Sequence, residues 1–471
     1  MAIASLDRSR NISLIRQLFE QLQTKILDGV LSEGYRLPST RLMAEELGVS
    51  RNVVLEAYDQ LLAEGYVESR SGSGTFVAEG AIYLNKEAPV LEPIGHVGFK
   101  PLNPKGVDFR SGLPDLRLFP INLWLRLTRE VYQEVTPAQL AYGSPEGRME
   151  LREAIANYVR IHRGVKCHPE QILITGGTTQ AIGLISRLLL HEDNKCAVLE
   201  DPITFDIQQI IEGFGGIIHP VPIDDQGLVT ARLPENLKPR FIYVTPSHQF
   251  PLGVTMPIQR RIQLLEYARK TDSYILEDDY DSEFRYDAMP VNSIQGIDPG
   301  RVVYVGTFSK TLCPSLRIGY IIFPTELIEK GRMLKWFTDL HNATMDQLVL
   351  ARFLKQGHFN RYVMRMKKVQ KQKRVFIENK LKEVFKDNVV LLGSATGLHL
   401  AVTFPGVRFT PDLLKTIEKS GVKIYPVEEH TINKGVYQDT IILGYGLLDN
   451  AQIEQGLHGL AKVITTVMDQ C

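Results

Sequence analysis

Apolar residues recur at helical spacing from Ile12 to about Leu31, at Ile12, Ile15, Leu18, Phe19, Leu22, Ile26 and Leu27, which predicts an amphipathic helix that must pack on a partner. Pro38-Ser39 predicts the start of a short helix through Leu47, Gly48 a tight turn, and Ser50 the cap of a further helix running to Glu64. Two helices joined by such a turn predict a helix-turn-helix. Gly65 to Ser69 and Thr75 to Val77 alternate around Arg70-Ser71-Gly72-Ser73-Gly74, the pattern of a hairpin wing. Periodicity then lapses from Glu79 to about Gly106, where Pro89, Pro93, Pro101 and Pro104 mark a linker.

Beyond the linker, helical and strand patterns alternate: Met149 to His162, Gln171 to Thr175, Gln180 to Leu190, Ala197 to Leu199, Phe241 to Thr245 and Ile258 to Lys270. That alternation predicts an α/β domain with a mostly parallel sheet flanked by helices. The expected organisation is a winged helix-turn-helix over 1–79, mainly α with a β wing, a linker over 80–106 and the α/β domain over 107–471. A chain of 471 residues is long enough for two or three domains.

Charge changes this picture little. Lys+Arg 54 against Asp+Glu 54 gives no net charge, so nothing global argues for nucleic acid or a membrane. Residues 1–80 carry eight basic and eleven acidic side chains, a balance that also fits a plain helical dimerisation module. Placement favours DNA: Arg36, Arg41, Arg51 and Arg70 stand at element starts and the wing, while many of the acids fall within or late in the helices. A second helix entering the major groove puts Ser50, Arg51 and Asn52 at base edges or phosphates. Arg36, Ser39, Thr40, Arg41, Arg70 and Gly72 would hold the backbone of a double-stranded operator. Cys167, Cys196, Cys313 and Cys471 have neither metal-ligand nor redox spacing, which fits a reducing cytoplasm, and no metal site is expected. No apolar run is long enough to span a bilayer and no signal-peptide core opens the chain, so a cytoplasmic protein is expected.

The candidate chemistry centres on Gly306-Thr307-Phe308-Ser309-Lys310-Thr311-Leu312-Cys313-Pro314-Ser315-Leu316-Arg317, directly after a predicted strand. Lys310 offers the primary amine that holds pyridoxal 5'-phosphate as a Schiff base; Thr307, Ser309 and Arg317 are candidates for its phosphate. Upstream, an apolar strand runs into Glu277-Asp278-Asp279-Tyr280-Asp281. Asp278 is the candidate partner of the pyridine nitrogen and Tyr280 that of the ring hydroxyl. Gly176-Gly177-Thr178-Thr179-Gln180, between a strand and a helix, would cradle phosphate on helix N–H groups, with Thr178, Thr179 and Gln180 at the helix start.

With Leu37-Pro38-Ser39-Thr40-Arg41, Val49-Ser50-Arg51-Asn52 and Thr245-Pro246-Ser247-His248-Gln249-Phe250-Pro251, these motifs give a resemblance over nearly the whole length. The chain resembles the MocR/GabR-type bacterial regulators, in which a GntR-type winged helix-turn-helix is fused to a fold-type I aminotransferase-like domain. That implies a large part over about 107–350 and a small C-terminal part over about 351–471. Tyr142, in Tyr142-Gly143-Ser144-Pro145-Glu146-Gly147, is similar to the tyrosine that reaches a neighbouring subunit's phosphate, which implies a homodimer. His248 and Gln249 lie in a family-like loop and would line the pocket, or His248 is a hydrogen-bonded structural histidine.

Two departures bear on function. After Glu200-Asp201-Pro202, threonine stands where the family often has an aromatic stacked on the ring, so Phe205, one place later, is the stacking candidate. In Ile442-Leu443-Gly444-Tyr445-Gly446-Leu447, leucine stands where amino-acid-binding relatives have an arginine that clamps a carboxylate. Without that clamp efficient aminotransferase turnover is not expected. The resemblance then implies a regulator that senses pyridoxal 5'-phosphate itself and controls vitamin B6 synthesis genes, as in the PdxR-like branch. The alternatives are an amino-compound effector, an active aminotransferase with a DNA-binding appendage, and a scaffold that has lost its cofactor. Finally, Arg361, Arg365 and Lys368 form one helical stripe and Lys367, Lys371 and Arg374 another, either a solvated face or a second contact with DNA phosphates.

Overall fold

The computed structural model describes residues 3–83, 106–286, 289, 291–393 and 396–468. The chain divides into two compact units, Met1–Lys100 and Pro101–Cys471. The linker prolines Pro89, Pro93, Pro101 and Pro104, and Cys471, lie outside the described residues.

In the first unit α1 spans Leu14–Leu27, shorter at both ends than the apolar periodicity. Ser13 caps it by accepting from the Arg16 N–H, leaving Ile12 outside and exposed, and Gly29 at φ 71° turns the chain away after Asp28. Leu31 still reaches the core, from outside the helix. Helix α2 (Thr40–Leu47) starts on Ser39, whose hydroxyl accepts from the Leu42 N–H, and stops on Gly48 at φ 62°, a left-handed conformation that glycine enters without a Cβ penalty. Helix α3 (Arg51–Ala63) follows, and β1 (Val67–Arg70) pairs antiparallel with β2 (Gly74–Val77), Arg70 opposite Gly74. Leu18, Phe19, Leu22 and Ile26 of α1 pack on Met43, Val54, Ala57, Tyr58, Leu61, Val67 and Val77, so one buried face of each element makes a single core.

The second unit holds an eight-stranded sheet. In chain order its strands are β3 (Ile172–Thr175), β4 (Cys196–Asp201), β5 (Ile217–Asp224), β6 (Gly227–Leu228), β7 (Phe241–Val244), β8 (Tyr274–Asp279), β9 (Val302–Thr307) and β10 (Gly319–Ile322). Their spatial order is β3-β10-β9-β8-β7-β4-β5-β6. The run β9-β8-β7-β4-β5 is parallel; β10 is antiparallel to both β9 and β3, and β6 to β5. Both faces are covered, which is why the strands read as unbroken apolar runs. Val303 and Val305 of β9 pack with Leu276, Tyr243 and the helix α6 (Thr178–Leu189), whereas Tyr304 between them joins Tyr320, Ile174 and Phe353 on the opposite face.

A four-stranded antiparallel sheet lies C-terminal to this, with β11 (Val390–Leu392), β12 (His399–Thr403), β13 (Tyr425–Pro426) and β14 (Thr440–Gly444) in the order β11-β12-β14-β13. Leu400, Val402, Ile441 and Leu443 face Leu457, Leu460 and Ile464 of the C-terminal helix Asn450–Met468, forming a separate core. Among the described residues no helix is long and apolar enough to cross a membrane, and no cluster of His, Cys, Asp and Glu is arranged to hold a metal ion.

Candidate functional site

The parallel strands deliver the sequence motifs to one edge of the large sheet, beyond their carboxyl ends. Register sets their order: Thr175, at the end of β3, is opposite Gly319, which pairs with Thr307, while Val305 pairs with Asp278. The glycine loop Gly176-Gly177 therefore follows β3 and the Thr307–Lys310 turn follows β9, the two strands that flank β10, with Asp278 on β8 beyond β9. Gly319 is required here, because a Cβ on it would lie 2.9 Å from Gly177 Cα and 3.1 Å from the Gly306 carbonyl oxygen.

At the phosphate end, Gly177 is the N-cap of α6 and leaves the first turn without a side-chain cap. Its N–H groups and dipole are available to an anion, with Thr178 half-buried and Thr179 exposed beside them. Arg317 adopts φ 50° and ψ 47°, a left-handed conformation rare for a residue with a side chain, and lays its guanidinium against Gly177, within 2.8 Å of where a Cβ would be. Ser309 is 8 % exposed, yet its hydroxyl has no partner, and Thr307 accepts from the Ser309 N–H at 3.2 Å.

The acidic cluster resolves into three roles because successive strand residues face opposite ways. Glu277 accepts the Ile294 and Gln295 N–H groups; Asp279 pairs with Arg163 at 2.6 Å and accepts from Tyr304. Asp278 and Asp279 each keep one buried oxygen without a partner, but Asp279 is already paired with Arg163, whereas Asp278 has no cation on it: Tyr243 donates to its Oδ2 at 2.5 Å, and Oδ1 has no partner. Burial, the largest influence, pushes its carboxyl up to about 7, with Asp279 and Asp281 adding to the rise and Tyr243 and Lys310 opposing it. Lys310 has its pKa lowered by burial against the pull of Asp281, Asp278 and Asp206. Gly112, at φ 76°, covers its amine so closely that a Cβ would lie 2.5 Å from Nζ.

These residues fit pyridoxal 5'-phosphate. The unpartnered Asp278 Oδ1 suits a protonated ring nitrogen, the unpartnered Ser309 hydroxyl and the Gly177–Arg317 cradle suit the phosphate, and Lys310 lies between them in sequence and register.

Other sequence candidates stand differently. Gln180 turns its side chain back, accepting from the Gly176 N–H at 2.6 Å and donating to Asp339 at 2.8 Å, so it braces the loop. Phe205 is 48 % exposed in the first turn of α7 (Phe205–Gly213), its N–H directed to His430 Nδ1 at 3.2 Å. Tyr142 is 83 % exposed and touches His341 edge-on. Tyr280 hydrogen-bonds His248 Nδ1 at 3.0 Å and stacks on its ring. Gln249 is bonded to the Pro202 carbonyl oxygen and the Leu252 N–H. Leu447 accepts from Arg117 through its carbonyl oxygen at 3.0 Å.

Tyr243, Gly112, Asp281, His399 and His430 were not among the sequence candidates, whereas His248 was, as a pocket or hydrogen-bonded histidine, and is bonded to Asp281. A tyrosine inside the apolar run Phe241-Ile242-Tyr243-Val244 is a readable signal of a buried polar contact, whereas isolated histidines carry none.

On the helix-turn-helix, Ser50 precedes α3 with its hydroxyl making no cap bond, and Arg51 and Asn52 are exposed in the first turn. Arg51 Nε donates to Thr40 at 3.2 Å, linking the two helices, while Arg41 is exposed on α2. Arg36 is exposed and bridges to Phe76 of the wing; Arg70 pairs with Glu68 and lies over Phe76. Gly72 makes the wing turn at φ 72°. In the second unit, Arg361, Arg365 and Lys368 are exposed on the helix His358–Phe385, but Arg374 is buried on Glu378 and Tyr286.

This combination defines a class: a winged helix-turn-helix joined to a fold-type I domain whose cofactor is pyridoxal 5'-phosphate. The model of "Aminotransferase class I and II" matches residues 106–434, and that of "Bacterial regulatory proteins, gntR family" matches residues 14–77. The chain is 35 % identical to the probable rhizopine catabolism regulatory protein MocR of Rhizobium meliloti, over 97 % of this chain and 94 % of that protein. It is 29 % identical to the pyridoxine biosynthesis regulator PdxR of Corynebacterium glutamicum, over 96 % of each. Among solved structures, Pyrococcus horikoshii kynurenine aminotransferase, in complex with PMP, superposes with a TM-score of 0.71 at 29 % identity, covering 77 % of this chain and 91 % of that one. LysN, an α-aminoadipate aminotransferase from Thermus thermophilus, gives 0.72 at 26 % identity, covering 78 % and 94 %. The chain belongs to the MocR/GabR-type transcriptional regulators, which bind DNA through a GntR-type domain and carry an aminotransferase-like domain.

Proposed function

We propose that pyridoxal 5'-phosphate is itself the signal, that its occupancy of the Lys310 pocket sets the affinity of the helix-turn-helix for an operator, and that the regulated genes serve vitamin B6 synthesis. The observation carrying this reading is the residue at the clamp position: Leu447, whose carbonyl oxygen is engaged by Arg117, offers no guanidinium to a substrate carboxylate. When bound, the cofactor supplies an electrophilic aldehyde and an electron-withdrawing ring. Lys310 supplies the amine, its free-base fraction raised by burial; Asp278 holds the ring nitrogen; Ser309, Thr307, Arg317 and the start of α6 hold the phosphate. Binding at one unit and DNA affinity at the other are then linked reciprocally.

The active unit in this reading is a homodimer. Tyr142 at 83 % exposure, together with Met333, Phe337 and Trp336 on the helix Ile328–Asp339 at 63, 73 and 45 %, is the kind of apolar surface that a partner covers. The test is titration of operator DNA with the apo chain, with and without pyridoxal 5'-phosphate, alongside Lys310→Ala. The cofactor is expected to change affinity or footprint in the wild type alone; identical apo and loaded behaviour refutes the reading. Absence of rapid multiple-turnover amino transfer is also expected.

A second reading, an amino compound acting together with the cofactor, draws on two buried polar atoms that the cofactor contacts above do not use: His248 Nε2 and Thr396 Oγ1, both without partners.

A further inference from the structure

The pocket near Lys310 has a wall of unusual charge. His248 is 2 % exposed; its Nδ1 is 2.9 Å from each oxygen of Asp281, and its Nε2 has no partner. The His399 ring stacks obliquely 5.1 Å from that of His248, and Phe250 lies 5.2 Å from both His399 and His430. The bond from the Phe205 N–H to His430 ties this cluster to the first turn of α7, where Asp206 is exposed. Burial pushes His399 down to about 3 and His430 down to about 4, so both are neutral near pH 7.

Arg285, across a backbone bridge from Thr396, turns its guanidinium to Thr255 Oγ1 at 3.2 Å and keeps a buried Nε without a partner. Arg317 is committed to the Gly177 end, and Arg110 turns onto the Tyr425 hydroxyl at 3.3 Å and onto Asp108. Among the described residues no guanidinium is hydrogen-bonded to or stacked on Tyr280, His248, Phe250, His399 or His430. The charges acting most strongly on Lys310 are Asp281, Asp278 and Asp206, with Arg317 behind them. A carboxylate entering this wall would meet aromatic rings, neutral imidazoles and like charge, and would lose its hydration without a charged partner.

We infer that the second ligand of the Lys310 pocket is a primary amine that carries no carboxylate, recognised by the His248–Asp281 pair, Thr396 and the carboxylate of Asp206. This inference rests on the amino-compound reading above. The ligand's amine would take the place of the Lys310 amine on the cofactor's aldehyde carbon, releasing Lys310 as a free amine, and further hydroxyl or amino donors suit the acceptors offered by Asp206 and His248.

The test uses the full chain loaded with pyridoxal 5'-phosphate and matched ligand pairs: alanine with ethylamine, tyrosine with tyramine, lysine with 1,5-diaminopentane. Readouts are the cofactor's visible absorbance, which reports displacement of Lys310, and DNA-binding anisotropy. For the pairs that respond, the amine is expected to act at concentrations at least tenfold below its amino acid, and Asp206→Arg is expected to narrow or reverse that ratio. Amino acids acting as well as or better than their amines, or an Asp206→Arg ratio equal to wild type, overturns the inference. If no ligand of either kind shifts the loaded spectrum while the cofactor alone changes DNA binding, the amino-compound reading itself fails and the direct-sensing reading stands.

Discussion

Replacing Asp278 by asparagine separates what the pocket does for its ligand from what it does to the fold. In the apo chain Asp278 is 5 % exposed, with Tyr243 on one oxygen and nothing on the other, and its carboxyl is pushed from 3.8 up to about 7. The folded chain therefore binds a proton between about pH 4 and 7 that the unfolded chain has released. Stability contributed by this site is lost as pH rises through that window and stays lost above it. A rise of that size corresponds to roughly 4 kcal/mol at pH 8. Asparagine removes the charge while keeping an acceptor for Tyr243, so apo Asp278→Asn is expected to be more stable than apo wild type at pH 8, with about 4 kcal/mol as the ceiling, and equal to it near pH 4. Urea unfolding of both proteins across pH 4 to 8, followed by a signal of the second unit, reads this difference. Glu283, also pushed up to about 7 by burial, is common to both chains and cancels; Glu200 is pushed up to about 7 by burial with the Asp278 charge adding to the rise, so the variant eases it in the same direction. The same change removes the partner of the ring nitrogen, so pyridoxal 5'-phosphate is expected to bind at least tenfold more weakly. A stability difference that does not vary with pH, or a variant that binds the cofactor as tightly as wild type, refutes the assignment.

Lys310→Ala is expected to abolish the visible band of the lysine-bound cofactor while leaving the far-UV spectrum intact, as checked by absorbance and circular dichroism. Gly177→Ala, at φ 104°, would put a Cβ 2.8 Å from the Arg317 guanidinium; cofactor affinity is expected to fall about tenfold by spectral titration, a change near 1.4 kcal/mol. Arg51→Ala is expected to weaken operator binding by about 1–3 kcal/mol and relax base preference at one position. Arg70→Ala, on the wing, should instead weaken all sequences alike and reduce the salt slope by about 1, as read by anisotropy across salt concentrations.

How far the sequence could be read depended on whether the controlling physics was local. The helix-turn-helix was legible nearly residue by residue because Ser39, Gly48 and Ser50 are stop and start signals that act within one turn. The Lys310 and Asp278 motifs could be placed from sequence because Asp278 falls near the end of an apolar strand and Lys310 just beyond the end of another. What escaped depends on pairings between distant segments. His248, His399 and His430 come from three separate segments and meet only through packing, and Gly112 matters only because Lys310 folds beneath it. Gln180 had the right address at the start of α6, but the direction of its side chain was decided by Asp339, far along the chain.

Arg317 holds its guanidinium against Gly177 from a left-handed backbone that glycine would occupy with roughly 1 kcal/mol less strain. If Arg317 holds the phosphate as proposed, fold stability and ligand recognition are opposed at a single residue. A directed-evolution campaign that scores heat resistance alone would enrich Arg317→Gly and return hardened clones that no longer register the ligand. Lysine at the same place would keep the strain and surrender the forked grip, so a library spanning this codon needs a screen that includes the cofactor.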